Sequence, residues 1–228
     1  MKKKKLGVVL FSGRKNCIFT RKIKKFIKKK SDKFYYIEST KIGEKLPKSI
    51  TKISFDYIFL FRSFFLLKKN FLNRVKKKAI NIHPSPPKYR GAGGINYTLF
   101  EKSNFFGSTA HIINEKIDSG PIIDFKKFRI KKIKKIEKIL FKTYIVSTKQ
   151  IFFIINQILK DQNNLNKLIK KNKKIKWSKK FHSIKKLNNF YQIDKNIKKK
   201  DLIKKIKATN TSKFKPYILL HGKKFILE

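Results

Sequence analysis

Residues 79–94 read AINIHPSPPKYRGAGG and carry the strongest structural signal in the chain. Ala79-Ile-Asn-Ile-His83 is a short apolar run with polar residues at alternate positions. That pattern predicts a strand with Asn81 and His83 on one face. Pro84, Pro86 and Pro87 end the strand, and the glycines after Arg90 let the backbone turn tightly. Working outward, Leu6 to Phe11, Phe34 to Ile37 and Asp56 to Phe61 are further short apolar runs. Ser12-Gly13 reads as a turn. Asn16 to Lys30 and Leu67 to Lys76 carry apolar residues at near-helical spacing. Strands alternating with helices predict an α/β protein with a Rossmann-like, mainly parallel sheet and helices on both faces. Such sheets bind ligands outside the carboxyl ends of their strands, where Asn81 and His83 stand.

Downstream, Ile95 to Lys102 reads as a helix, and Ser108 to Asn114 and Pro121 to Ile130 as strands. They flank a second turn, Ile117-Asp118-Ser119-Gly120-Pro121. Ile136 to Leu159 is a long segment whose Ile139, Leu140, Ile151, Ile154, Ile155 and Ile158 form one apolar stripe. Residues 1–160 are therefore expected to form the main domain. Residues 161–182 are basic, poor in packing residues, and read as a loosely held linker. Residues 183–228 read as a small extension: a helix over Asp201–Thr209, then a hairpin turning at His221-Gly222.

The chain has 228 residues, a hydrophobic fraction of 40% and 22 Phe, enough for a buried core. Its net charge of +48 is the footprint of a polyanion-binding surface. Only six of the 61 basic residues are Arg, however. Lys, Ile, Phe and Asn all have AT-rich codons, so compositional drift explains much of the excess. A lone cysteine, Cys17, excludes an internal disulfide and reads as a packing residue. The apolar run Leu6 to Phe11 is too short for a signal-peptide core, and no stretch reaches transmembrane length. A cytoplasmic location is expected, without a membrane partner. The scattered His residues and single Cys give no metal-ligand spacing.

NIHPSPPKYRG, followed some thirty residues later by EKIDSGPII, resembles the signature of the folate-dependent formyltransferases. That family includes methionyl-tRNA, glycinamide ribonucleotide and amino-sugar formyltransferases. The resemblance implies a catalytic set of Asn81, His83 and Asp118. It also implies 10-formyltetrahydrofolate as co-substrate, beside Arg62, Phe64, Leu66 and Leu67 on one segment and Glu115, Ile117 and Gly120 on the other. Ser12, Gly13, Arg14, Arg90 and Gly91 are the candidate acceptor-binding residues.

The implied reaction moves a formyl group to a primary amine. Asn81 and His83 would donate to the developing oxyanion, and Asp118 would orient His83 or help take the amine proton. Arg14-Lys15 stands where the glycinamide ribonucleotide branch has a second glycine, which disfavours that branch. The short tail favours an amino-sugar nucleotide as acceptor. Methionyl-tRNA is the alternative, supported by the basic surface, and a non-catalytic nucleic-acid-binding protein is the alternative from another class. A dimer is compatible with the resemblance.

Overall fold

A computed structural model describes residues 4–131, 133, 135–212 and 214–227. In chain order the elements are β1 (Val8–Arg14), α1 (Ile18–Lys30), β2 (Lys33–Ser39), α2 (Lys48–Thr51), β3 (Phe55–Phe61), α3 (Lys69–Leu72) and β4 (Val75–His83). There follow β5 (Arg90–Gly91), α4 (Gly94–Phe100), β6 (Phe105–Ile112), β7 (Ile122–Arg129), α5 (Ile136–Lys160) and α6 (Asn163–Lys171). The remainder comprises β8 (Phe181–His182), α7 (Ile184–Tyr191), β9 (Gln192–Ile193), α8 (Lys199–Thr209), β10 (Tyr217–Leu220) and β11 (Lys223–Ile226).

The central sheet has the order β2-β1-β3-β4-β6-β7. The first four strands are parallel, and β6 and β7 run antiparallel to their neighbours. One sheet face carries Val9, Phe11, Phe59, Ile80 and Ile82, packed against Ile23 and Ile27 of α1 and the Ile151, Ile154, Ile155, Ile158 stripe of α5. The alternate residues Leu10, Ile58, Leu60 and Ala79 pack on the other face with Ile50 and Phe71, from the short α2 and α3. That second cover is thin, and the carboxyl edge beyond it carries Asn81 and His83.

The hairpin of β6 and β7 is fixed to α5 by buried polar groups. The Gln150 side chain donates to Asp124 O at 3.0 Å and to Asp124 Oδ2 at 2.9 Å, and its Oε1 accepts from Ser108 Oγ at 2.8 Å. Each polar group is satisfied, so the network is not a liability in a low-dielectric interior. It sets where the connecting loop, with Asp118, stands.

Two expectations need correction. Ser12-Gly13 is not a turn: β1 runs on through Arg14, and the reversal falls at Asn16, whose φ is 54°. Nor is 161–182 a loose linker. Leu165 is buried, Leu168 and Ile169 pack on the main core, and the Asn172 side chain donates to Ile123 O at 2.8 Å. Spaced three and four apart, these apolar residues place one stripe of α6 on the core.

In the tail, α8 packs on α4, and the Asn96 side chain donates to Ala208 O at 2.7 Å. The β10–β11 hairpin turns through His221 and Gly222, both with positive φ, as a tight two-residue turn requires. Among the described residues no helix is long and apolar enough to cross a membrane.

Candidate active site

Asn81 and His83 share one face of β4 because strand side chains alternate; Ile80 and Ile82 point into the core. The antiparallel pairing of β4 with β6 sets His111 directly opposite Asn81. Asp118 arrives on the loop between β6 and β7 in a left-handed conformation, φ 45°. The four side chains meet. Asp118 Oδ2 lies 3.3 Å from His83 Nδ1, and Asp118 Oδ1 lies 3.3 Å from His111 Nε2 and 3.4 Å from Asn81 Nδ2. Asn81 Nδ2 is also 3.1 Å from His111 Nε2.

The surroundings fix these groups further. His83 Nε2 donates to Tyr89 O at 3.0 Å, and His111 Nδ1 donates to Ile112 O at 2.8 Å. A carbonyl oxygen can only accept, so those two nitrogens carry hydrogens. A neutral His83 leaves its Nδ1 lone pair facing Asp118 Oδ2, where it can take a proton; an imidazolium donates there instead. Neutral His111 accepts the Asn81 amide hydrogen; protonated, it donates to Asp118 and leaves that hydrogen for another acceptor. Burial alone would raise the Asp118 carboxyl, but the charge of His83, the contacts of His111 and the Gly91 N–H outweigh it and hold it well below the usual carboxylate range.

The remaining candidates divide. The Arg90 guanidinium is engaged with backbone carbonyls: it donates to Asp118 O at 2.7 Å, Ile117 O at 2.9 Å and Ser178 O at 3.3 Å. Gly91 likewise serves the Asp118 loop, donating its N–H to Oδ2. Ser12 is fully buried against Ser63, and Gly13 packs against Thr20 of α1. Leu67 packs in the core with Leu10 and Leu60. The side chains of Arg90, Ser12 and Leu67 are thus engaged within the protein, and Gly13 and Gly91 lie against neighbouring segments. Gly120 is buried and its carbonyl accepts from Trp177.

Leu66 and Ile117, by contrast, are 64% and 42% exposed, on segments linked by the Lys69–Glu115 ion pair at 3.4 Å. Apolar side chains left exposed beside buried polar groups suit a flat heteroaromatic ligand. Phe64 lies under the Arg14 guanidinium, 4.0 Å from ring centre to Cζ. Arg62 stacks equally closely on Tyr144 and donates to Cys17 Sγ. Cys17 itself is buried at the start of α1.

Gly13, Phe61 and Ile82 are register partners across β1, β3 and β4. Arg14, Arg62 and His83 are therefore the next residues on three adjacent strands, with the backbones of Arg14 and His83 about 10 Å apart at two strand spacings. Burial and the neighbouring Arg62 both lower the Arg14 guanidinium from its ordinary value.

Two residues in contact with this cluster escaped the sequence reading. His111 completes the polar cluster. Trp177 comes from the segment read as linker; its indole donates to Gly120 O at 2.8 Å and stands edge-on to the rings of His83 and His111.

The formyl transferase family model matches residues 7–153, which contain Asn81, His83, His111 and Asp118. The chain belongs to this family. It is 30% identical over 180 residues to a methionyl-tRNA formyltransferase of Wigglesworthia glossinidia brevipalpis, covering 74% of this chain and 56% of that protein. It thus spans little more than half the length of that relative, and less than half of other methionyl-tRNA formyltransferases that it matches.

Among solved structures, a 4-N formyltransferase from Francisella tularensis shares the fold with a TM-score of 0.71 at 21% identity, covering 96% of each chain. A sugar 3N-formyltransferase solved in the presence of dTDP and 5-N-formyl-THF has a TM-score of 0.66 at 18% identity, covering 96% of this chain and 84% of that one.

Proposed function

We propose that this protein transfers a formyl group from 10-formyltetrahydrofolate to a primary amine borne by an anionic acceptor. The observation that carries the reading is the convergence of Asn81, His83 and Asp118 at the carboxyl edge of the sheet. An amine attacking the formyl carbon generates an oxyanion and releases a proton. A neutral His83 takes up the proton at Nδ1, beside the Asp118 carboxylate, and the imidazolium so formed joins the Asn81 amide in stabilising the oxyanion. Folate fits beside the exposed Leu66 and Ile117, in keeping with the folate named for the sugar 3N-formyltransferase.

Arg14 suits the acceptor's phosphate, and so does Arg62, which the resemblance places beside the folate. They adjoin one another, and each stacks on an aromatic ring. Neither forms an ion pair with a carboxylate among the described residues. They stand between β1 and β3, where the chain order reverses, the usual ligand crevice of an open α/β sheet.

Methionyl-tRNA is the acceptor we favour, in place of the amino-sugar nucleotide preferred from tail length. The 30% identity to a methionyl-tRNA formyltransferase and the net charge of +48 both support it. The amino-sugar nucleotide is the second reading, supported by the 3N- and 4-N-formyltransferases that share the fold.

Calorimetry with a stable 10-formyltetrahydrofolate analogue tests the donor. Formylation of methionyl-tRNA and of a panel of amino-sugar nucleotides, each over a salt series, tests the acceptor. We expect folate binding, and tRNA formylation that weakens steeply with salt. Turnover confined to the sugar nucleotides would select the second reading, and absence of folate binding would overturn both.

A further inference from the structure

Residues 172–182 cross from the end of α6 to β8 and are tied to the catalytic loops along their length. The Ser178 N–H donates to Pro87 O at 3.0 Å, Ser178 O accepts from Arg90, and the Ala92 N–H donates to His182 O at 2.8 Å. Arg90 and Gly91 of β5 pair in parallel with Phe181 and His182 of β8. Trp177, midway along, is the chain's single tryptophan. Its indole N–H reaches Gly120 O, two residues past Asp118. Its ring centre lies 5.0 Å from that of His111 at 87° and 5.8 Å from that of His83 at 61°. Cavities of about 490 and 530 Å³ flank this strap, and Ile175, Lys176 and Trp177 line both. The strap lies beyond residues 7–153, which match the family model.

We propose that Trp177 is a positioning residue for the formyl-transfer step. It closes the outward side of the His83–Asp118–His111 cluster and locks the Asp118 loop to the strap. A carboxylate between two imidazoles stabilises a developing charge only if its geometry is fixed in advance and water is kept away. The loop bearing Asp118 is held from one side by Arg90, through the Ile117 and Asp118 carbonyls, and from the other by the indole, through Gly120 O. The indole also covers the two imidazoles with an apolar surface, edge to face, a favoured aromatic geometry. Without it, Asp118 keeps its place in sequence but not its angle to His83, and displacement of about 1 Å costs on the order of 100-fold in rate.

The titratable and charged groups around the indole are His83 on β4, His111 on β6, Asp118 on the loop and Arg90 on β5. Lys176 is exposed beside it on the strap, and Lys88, Lys127, Lys170 and Lys173 stand in the cavity walls. Among the described residues, His83 and His111 are the titratable groups whose rings pack on the indole.

This inference rests on the formyl-transfer reading, so it is tested in two ways, one independent of activity. In the unmodified protein all tryptophan emission comes from Trp177, and a protonated imidazole in contact quenches indole emission. Emission should fall as pH is lowered through the range in which histidines titrate, about pH 8 to 5, and His111→Asn should diminish that change. In the assay, Trp177→Phe keeps a ring and loses the N–H. It should lower kcat by roughly 10- to 100-fold, leave both KM values within about 2-fold, and displace the pH profile of kcat. Lys176→Gln should behave as the parent protein. Emission independent of pH, or a Trp177→Phe protein with parental kcat and pH profile, would overturn the inference. A parent protein that transfers no formyl group, yet shows the pH-dependent emission, would overturn the assigned reaction while leaving the contact in place.

Discussion

The backbone N–H of Gly91 donates to Asp118 Oδ2 at 3.0 Å across 27 residues of sequence. Gly91 has φ 84°, and a Cβ there would collide with the backbone carbonyl of His182. One glycine thus joins three segments: the turn after the proline run, the Asp118 loop and the strap. Gly91→Ala imposes a left-handed strain of about 1–2 kcal/mol, and the collision with a backbone atom adds to it. A melting temperature lower by several degrees is expected, together with at least a 10-fold loss of kcat. Thermal unfolding and a formylation assay check both, and parental values in the two would contradict the role given to Gly91.

The Asp118 carboxyl is held below its ordinary range in the folded protein despite its burial. A depressed carboxyl stabilises the fold fully above its unfolded value, about pH 3.9. That contribution is lost as pH falls towards the folded value. Asp118→Asn should therefore flatten the dependence of stability on pH below about pH 4. It should also lower kcat roughly 100-fold or more, by removing the partner of His83. Denaturant unfolding at a series of acidic pH values reads the first effect. An unchanged acid limb would contradict it.

His111 is 2% exposed and bonded at both ring nitrogens. His111→Gln should retain a hydrogen bond to Asn81 but lose the imidazole proton, lowering kcat about 10-fold, the worth of one hydrogen bond. The kcat measured well below the melting temperature separates this from simple destabilisation. A kcat identical to that of the parent would confine His111 to packing.

For Arg14 and Arg62, replacement by Ala should raise the KM for the acceptor about 10- to 100-fold, the cost of a charged hydrogen bond. Replacement by Lys should restore little, because the planar fork and its stacking on Phe64 and Tyr144 are lost. The slope of acceptor binding against salt should fall by about one for each phosphate contact removed. Folate binding should not change. If folate affinity falls instead, the two arginines belong to the donor site.

Much of this arrangement was legible because it depends on local periodicity. The alternation in residues 79–83 and the Pro and Gly positions after it placed Asn81 and His83 at a strand end, and the stripe from Ile139 to Ile158 marked α5. What escaped depends on register and long-range docking. His111 meets Asn81 only because β6 pairs antiparallel with β4, a pairing that neither strand's own pattern specifies. Trp177 sits in a Lys-rich stretch whose overall polarity masked the few residues that dock. Ser12-Gly13 has the composition of a turn, but pairing with β2 on one side and β3 on the other extends the strand through it. Arg90 and Gly91 carried the expected signature, yet both bond the Asp118 loop, a contact 27 or more residues away in sequence.

The central claim is tested most directly by following the labelled carbon of 10-[¹⁴C-formyl]tetrahydrofolate in the presence of methionyl-tRNA, with the parent protein and with His83→Ala. The account predicts that label appears on the methionyl amine with the parent protein and falls by at least about 100-fold with the variant. Label released as free formate at the same rate with and without acceptor, or transfer undiminished in the variant, would contradict it.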